Sequence, residues 1–394
     1  MYKKIFCIML INIFFFSLMG CWGKREINEN FQAIGIGIDK KEDHYLITYQ
    51  IINPEEVSGK EKTGTTPVIT VEAEGASISE ASRRLTLKVS KKVNIPHLRV
   101  LVLGESFARE GIKDALDFFI RNRDARSNFY IVVAKGGTAS DVLKVFTPLQ
   151  KIPAEKIHDS LETAQEFWSP ATTIRKYELL SDVGAEAKDP ILTGILVKGK
   201  KDVGMTRRNV ETIEQEAYIE VGTIGVFKGD KLVGWLDENE SSITNSILRK
   251  VKNTIRVYSY VGYPISLEIQ KLRSKIKVVN DKGKPKIIYY EDIVGDIAEV
   301  TDDIKIKDPQ VIKKFEKYVE EFIKLRAENA IKRVQQDFHA DIFGFGLEIS
   351  RQHPKLWEKV KDNWDKEFAK LPVEVIVTVR VNDTGVIIDP IEIK

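Results

Sequence analysis

Residues 98–104 read L-R-V-L-V-L-G, and residues 105–121 continue E-S-F-A-R-E-G-I-K-D-A-L-D-F-F-I-R. After a short polar break come F-Y-I-V-V-A (129–134) and K-G-G-T (135–138). The first run is apolar and the length of a buried strand. The second places Phe107, Ile112, Leu116 and Phe119 roughly on one side of a helix over Glu105–Arg121. Phe129–Ala134 is a second strand, and Gly137-Thr138 opens a helix through Phe146. Upstream, Ser77-x-x-Glu80 is a capping-box signature leading into A-S-R-R-L-T-L-K-V-S. The order helix, strand, helix, strand, helix calls for an α/β layer with at least one βαβ-like crossover.

Toward the amino terminus, F-Q-A-I-G-I-G-I-D and H-Y-L-I-T-Y-Q-I-I flank K-K-E-D, a hairpin signal over 31–52. Gly35 and Gly37 alternate with Ile34, Ile36 and Ile38, leaving one strand face bare where another backbone lies close. The pattern lacks the G-x-G-x-x-G spacing of a phosphate loop. Residues 53–67 read as an exposed loop.

Toward the carboxyl terminus, residues 151–185 are helical and polar with a break at Pro170, and Ile191–Val197 is a strand. The polar tract 199–214 interrupts the hydrophobic pattern and is the expected linker. Ala217–Phe227 and Lys231–Leu236 form a hairpin around Lys228-Gly229-Asp230, and a short helix is expected at 240–250. Strands follow at 252–260, 264–279 and 286–300. Asp308-Pro309 is a helix start, an N-cap acid followed by proline. The apolar positions Ile312, Phe315, Val319, Phe322, Ala327, Ala330, Val334 and Phe338 carry one face for about 30 residues, roughly 45 Å. Their drifting spacing suits packing across a sheet better than a coiled-coil arm. Phe343-Gly344-Phe345-Gly346 makes a turn, and Pro354–Phe368 a terminal helix bearing Trp357 and Trp364. The last strand, P-V-E-V-I-V-T-V-R-V, alternates through residue 381.

Residues 1–21 set the address. Lys3 and Lys4 precede the apolar run Ile5–Phe16, a signal-type segment too short to span a membrane dependably. Leu18-Met19-Gly20-Cys21 has the form of a bacterial lipobox. The expectation is cleavage after Gly20 and lipidation of Cys21, with a thioether-linked diacylglyceryl group and an N-acyl chain. More than one acyl chain anchors stably, at about 0.8 kcal/mol per buried CH₂. Cleavage removes Lys3 and Lys4 and no acid, so Lys+Arg falls from 61 to 59 against 58 acids and the net charge from +3 to +1. That balance gives no electrostatic case for nucleic acid. The chain has 2 cysteines, and the other, Cys7, leaves with the leader, so no internal disulfide is expected.

The expected fold class is mixed α/β: a lipid-tethered multi-domain protein with mixed sheets, helices packed on the sheets and one long helix in the C-terminal half. The expected layout is a signal peptide (1–20), a tether (21–30), an N-terminal α/β domain (31–198) that divides into at most two lobes, the linker (199–214) and a C-terminal α/β domain (215–394).

Chemistry is sparse. His44, His97, His158, His339 and His353 are scattered without metal-binding pairing. There is no G-x-S-x-G elbow. His339 with Asp337 and Asp341 is the densest ionisable cluster, but its alternating spacing does not share one helical face. Glu55-Glu56 and Glu238/Glu240 are formal acid–base pairs that loops also present to solvent. Tyr45, Tyr49, Phe227 and Trp235 are ligand-pocket candidates that core packing explains equally well. K-G-G-T at 135–138 is an anion site at a helix start or, more simply, a turn and an N-cap. No catalytic, metal or cofactor residues are expected.

Five stretches resemble the Ger(x)C family, the lipoprotein C subunits of spore nutrient-germinant receptors. They are Cys21-Trp22-Gly23-Lys24-Arg25-Glu26-Ile27, with Gly23 in place of the family's acid, L-R-V-L-V-L-G-E-S-F-A-R-E-G-I (98–112), I-G-V-F-K-G-D-K-L-V-G-W-L (224–236), D-I-F-G-F-G (341–346), and Trp357 with Trp364. The resemblance covers nearly the whole chain. It implies a non-enzymatic lipoprotein needed for nutrient-triggered germination, without cofactors, held by its lipid on the outer face of the cell membrane that becomes the spore inner membrane. Its implied partners are integral-membrane A and B receptor subunits and the bilayer itself. Only Cys21 is carried over as a functional residue. The alternative expectation is a free-standing membrane-anchored solute-binding lipoprotein.

Overall fold

The computed structural model describes Tyr2 and residues 30–383 except 55, 57–64, 123, 301–303, 305 and 307. Apart from Tyr2 and Asn30, the leader and the tether with Cys21 lie outside the described residues, as do Glu55 and most of the 53–67 loop. Among the described residues no helix is long and apolar enough to cross a membrane.

The chain builds two sheets. The first has nine strands: β1 (Asn30–Lys41), β2 (His44–Ile52), β3 (Val68–Gly75), β4 (Lys92–Asn94), β5 (Val100–Gly104), β6 (Tyr130–Ala134), β7 (Ile191–Gly199), β8 (Ala217–Lys228) and β9 (Lys231–Trp235). Their order is β3-β2-β1-β5-β6-β7-β8-β9, with β4 beside the start of β1. The central pairs β1–β5, β5–β6 and β6–β7 are parallel, and the flanking pairs are antiparallel. Every residue of β5 and β6 is buried, as a parallel strand covered on both faces requires. One face carries the helices Ala139–Lys144 and Pro153–Phe167, and Gly35 and Gly37 are what let them close on β1. A Cβ on Gly35 would lie 2.9 Å from the Ala154 Cβ, and one on Gly37 3.0 Å from that of Ala139.

The second sheet is β10 (Thr254–Tyr260), β11 (Tyr263–Asp281), β12 (Lys284–Val300) and β13 (Val373–Asp383), in that order. The long helix Pro309–Arg333 lies on it, started by the Asp308 side chain accepting from the Gln310 N–H at 2.8 Å. Phe315, Val319, Ile323 and Ala327 are buried, and Phe315 meets the Tyr258 and Tyr260 rings edge-on. The same helix protects the β13 edge: Glu320 and Glu316 accept from the N–H groups of Val379 (3.0 Å) and Val381 (2.8 Å). The mixed α/β fold with a long C-terminal helix therefore stands as expected.

Two local expectations change. The helix expected over 105–121 breaks at Gly111, which takes φ +138° between Glu105–Glu110 and Lys113–Arg121. The Pro354–Phe368 helix is three short pieces, Pro354–Val360, a 3₁₀ turn at Lys361–Asn363, and Trp364–Phe368. The 199–214 tract connects β7 to β8, which pair antiparallel in the large sheet. The buried Asn209 ties this tract down. Its side chain donates to the carbonyls of Phe146 (2.9 Å) and Ala217 (2.8 Å) and accepts from the Ala217 N–H (2.9 Å).

Candidate functional site

The sequence runs singled out above converge in two knots of side-chain contacts, the first half-buried and the second built on a buried carboxylate. In the first, β5 delivers Glu105 and β9 delivers Trp235. The Trp235 indole donates to Glu105 Oε1 at 3.1 Å, and the Lys135 ammonium sits 4.8 Å from the Trp235 ring centre. Gly194 and Gly225 make room for the indole, since a Cβ on either would come within 3.0 Å of it. Glu105 Oε2 accepts from the Gly136 N–H at 2.6 Å, and Arg109 pairs with Oε1. Burial pushes the Glu105 pKa up, but the Gly136 N–H, the indole and Arg109 outweigh it and hold the carboxyl below the usual range. Beside this, Asp230 explains the break at Gly111: its carbonyl accepts from Ile112 N–H (2.9 Å) and its Oδ2 from Lys113 N–H (3.2 Å). The 98–112 and 224–236 runs are thus one contact.

In the second knot Asp341 is fully buried. Its Oδ1 accepts from the N–H groups of Gly344 (2.9 Å) and Phe345 (3.1 Å), and its Oδ2 from Gly346 N–H (2.7 Å) and the Trp364 indole (3.2 Å). Trp357 packs edge-on against Trp364 at 5.2 Å. The Asp341 backbone N–H donates to Asp189 Oδ2 at 2.9 Å, which also receives Lys228 Nζ at 3.0 Å, while Gly229 N–H donates to Asp189 Oδ1 at 2.9 Å. D-I-F-G-F-G, K-G-D and Trp364 are therefore parts of one structure. Burial raises the Asp341 pKa to about 6 against the opposing pull of the backbone N–H groups.

The remaining candidates are dispersed. Asp337 is exposed and pairs with Arg333, while His339 takes the left-handed conformation, so neither joins Asp341. The K-G-G-T helix start is filled from within. Asp39, at the end of β1, accepts from Ala139 N–H (2.8 Å) and Ser140 N–H (3.0 Å), and its pKa is raised by burial to about 6. Glu240 closes a capping box with Asp237 and binds Arg333; Glu238 accepts from the Trp168 indole at 2.9 Å. Tyr45 bonds Asp114, Tyr49 bonds Ser82, and Phe227 is core, so they do not form one pocket with Trp235. One cluster escaped the sequence reading. His158, Asp159 and Glu162 bring one ligand atom each within 4.8 Å, a helical i, i+4 relation extended by a neighbour. Tyr130 and Gln150 already hydrogen-bond Glu162 and Asp159. Asp39 and Asp189 were also unforeseen; a lone acid at a strand end gives little sign of its partner.

In both knots carboxylates pin backbone loops and seat indoles. The chain belongs to the GerAC family of spore germination proteins. Residues 23–197 match the model described as "Spore germination protein N-terminal domain", and residues 223–385 match "Spore germination B3/ GerAC like, C-terminal". Among similar proteins, spore germination protein KC of Bacillus subtilis (strain 168) is 28% identical over 402 residues, covering 100% of this chain and 98% of its own. Spore germination protein B3 of the same organism is 26% identical over 388 residues, covering 95% and 98%. The crystal structure of the GerBC protein shares the fold, with a TM-score of 0.55 at 20% identity over 88% of this chain and 96% of that one. As a member of this family the chain is a non-catalytic subunit.

Proposed function

We propose that this chain is the lipid-anchored, non-enzymatic C-type subunit of a spore nutrient germinant receptor. It is acylated at Cys21, held on the outer face of the membrane that becomes the spore inner membrane, and associated with integral-membrane A- and B-type subunits. The observation that carries the reading is the match of both family segments, with the two segments meeting in shared contacts between Asp189, Lys228 and Asp341. The lipobox at residues 18–21 supports the anchor. Tethering also raises the effective concentration of membrane-held partners, so a weak lateral interface is enough to populate a complex.

The test is co-purification from gently solubilised spore membranes, with A- and B-type subunits read by mass spectrometry, beside a deletion strain assayed for nutrient-triggered germination. Recovery with both subunits and impaired germination with normal growth are expected. Recovery of neither subunit, together with normal germination of the deletion strain, would favour a free-standing binding lipoprotein.

A further inference from the structure

A cleft of about 350 Å³ opens between Trp168–Pro170, the helix Glu238–Ile247, the strand β10 and the long helix. That is at the lower end of the size range of small-molecule sites. One wall is the free edge of β10, an outer strand of its sheet. Tyr260 and Tyr263 close a two-residue hairpin, so residues 254, 256 and 258 bond to β11 while 255, 257 and 259 turn their backbone groups outward. Ser259 fits that parity, since its carbonyl accepts from the Tyr318 hydroxyl at 2.6 Å. The peptide groups of Ile255 and Val257 thus face the cleft.

Its polar groups are unevenly matched. Arg256 is held from behind. Its Nη2 donates to Ser242 Oγ (3.1 Å) and Ser246 Oγ (3.2 Å), and Nη1 stands 3.9 Å from Oε1 of the fully buried Glu291. Arg326 lies 4.5 Å from the centre of the Phe322 ring and has no carboxylate partner among the described residues. Tyr258, 1% exposed, lines the cleft with a hydroxyl that makes no hydrogen bond. At the rim, Glu238 is engaged by the Trp168 indole. Glu291 answers Arg256, which leaves Arg326 as an unanswered planar cation beside an unused hydroxyl, among walls built from Trp168, Ile243, Phe322 and Ile323.

We propose that this cleft binds a small monocarboxylate with an apolar body. The guanidinium of Arg326 takes the carboxylate through its fork of donors, the Tyr258 hydroxyl supplies a further donor, and the apolar portion packs on Phe322 and Trp168. Arg326 offers a monoanion one cation free of a carboxylate partner, while the charge that Glu238 keeps at the rim disfavours a phosphate dianion. This site goes beyond the receptor-subunit reading and does not rest on it, because the binding belongs to the isolated chain.

The test uses the purified full chain and saturation-transfer NMR with phenylacetate, its neutral amide phenylacetamide, and inorganic phosphate. Saturable phenylacetate binding is expected, with the amide and phosphate weaker by about tenfold or more, a difference of about 1.4 kcal/mol. Arg326→Met should lose binding by a similar factor and Tyr258→Phe should weaken it. Arg351→Ala, whose arginine pairs with Glu348 outside the cleft, should bind as the unaltered chain does. Arg326→Lys guards against misfolding of the methionine variant and should bind at an intermediate level. Equal binding of acid and amide, unchanged binding by Arg326→Met, or no saturable binding of phenylacetate overturns the proposal.

Discussion

Asp189 and Asp341, 152 positions apart, are joined twice: the Asp341 N–H donates to Asp189 Oδ2, and the Asp189 N–H donates to the Asp341 carbonyl, both at 2.9 Å. Asp189 belongs to the segment matched by the first family model and Asp341 to that matched by the second. The pair is a clasp between the two halves, with Lys228 and Gly229 bound to the same carboxylate.

Removing the clasp should be costly. Asp189→Ala leaves the N–H groups of Gly229 and Asp341 without their acceptor, each buried unmet donor being worth about 1–3 kcal/mol, while Lys228 keeps its second carboxylate, Asp365. Urea unfolding should show a loss of about 2 kcal/mol or more. A loss below about 1 kcal/mol would mean that water replaces the carboxylate.

The buried Asp341 makes stability depend on pH in a definite direction. Its folded pKa, raised by burial from 3.8 to about 6, exceeds its unfolded value. The folded state therefore binds the proton more tightly. This contribution is fully present below about pH 4 and is lost as pH rises through 6. A shift of about two units corresponds to roughly 3 kcal/mol. Comparing Asp341→Asn with the unaltered chain by urea titration isolates this share, because carboxylates with lowered pKa act in both proteins alike. The advantage of the unaltered chain should shrink between pH 4 and 6, and parallel profiles would refute the assignment.

Gly104 and Asp39 should behave as one unit. A Cβ at Gly104 would lie 2.0 Å from Asp39 Oδ1, so Gly104→Ala must displace the carboxylate that caps the helix Ala139–Lys144. Each single variant, Gly104→Ala or Asp39→Ala, should cost about 1–3 kcal/mol, and the double variant well below the sum. Full additivity in a denaturation cycle would show that the glycine is needed for something else.

Cys21→Ala should abolish fatty-acid labelling and leave a soluble or uncleaved chain. Metabolic labelling with an alkyne fatty acid reads this directly, and equal labelling of the variant would place the lipid elsewhere.

Much of the architecture is written locally. The Ser77 N-cap on the Glu80 N–H, the Asp308-Pro309 helix start and the hairpin around Lys228-Gly229-Asp230 depend on neighbours in sequence, and each forms as read, although Glu80 returns to the Ala76 N–H and not to that of Ser77. What escaped reading is what distant residues impose. The break at Gly111 is fixed by Asp230, which binds the Lys113 N–H from 117 positions away. The anion at the 135–138 turn comes from Asp39, a hundred positions earlier. In the 199–214 tract the polarity is easy to see, whereas the use of Asn209 to bind Phe146 and Ala217 is not. In the candidate site, the resemblance named the right runs, but no spacing rule brings Trp235 to Glu105 or Trp364 to Asp341.

The position of β1 has a mechanical consequence. This strand begins at Asn30 and lies inside the large sheet, bonded along its length to β2 on one side and to β4 and β5 on the other. Tension applied through the amino terminus along the strand axis loads both ladders in shear, so many hydrogen bonds share the force at once. A chain entering by an edge strand pulled sideways would instead unzip one bond at a time. Whatever holds the amino terminus therefore grips the molecule by the part of it that resists pulling best.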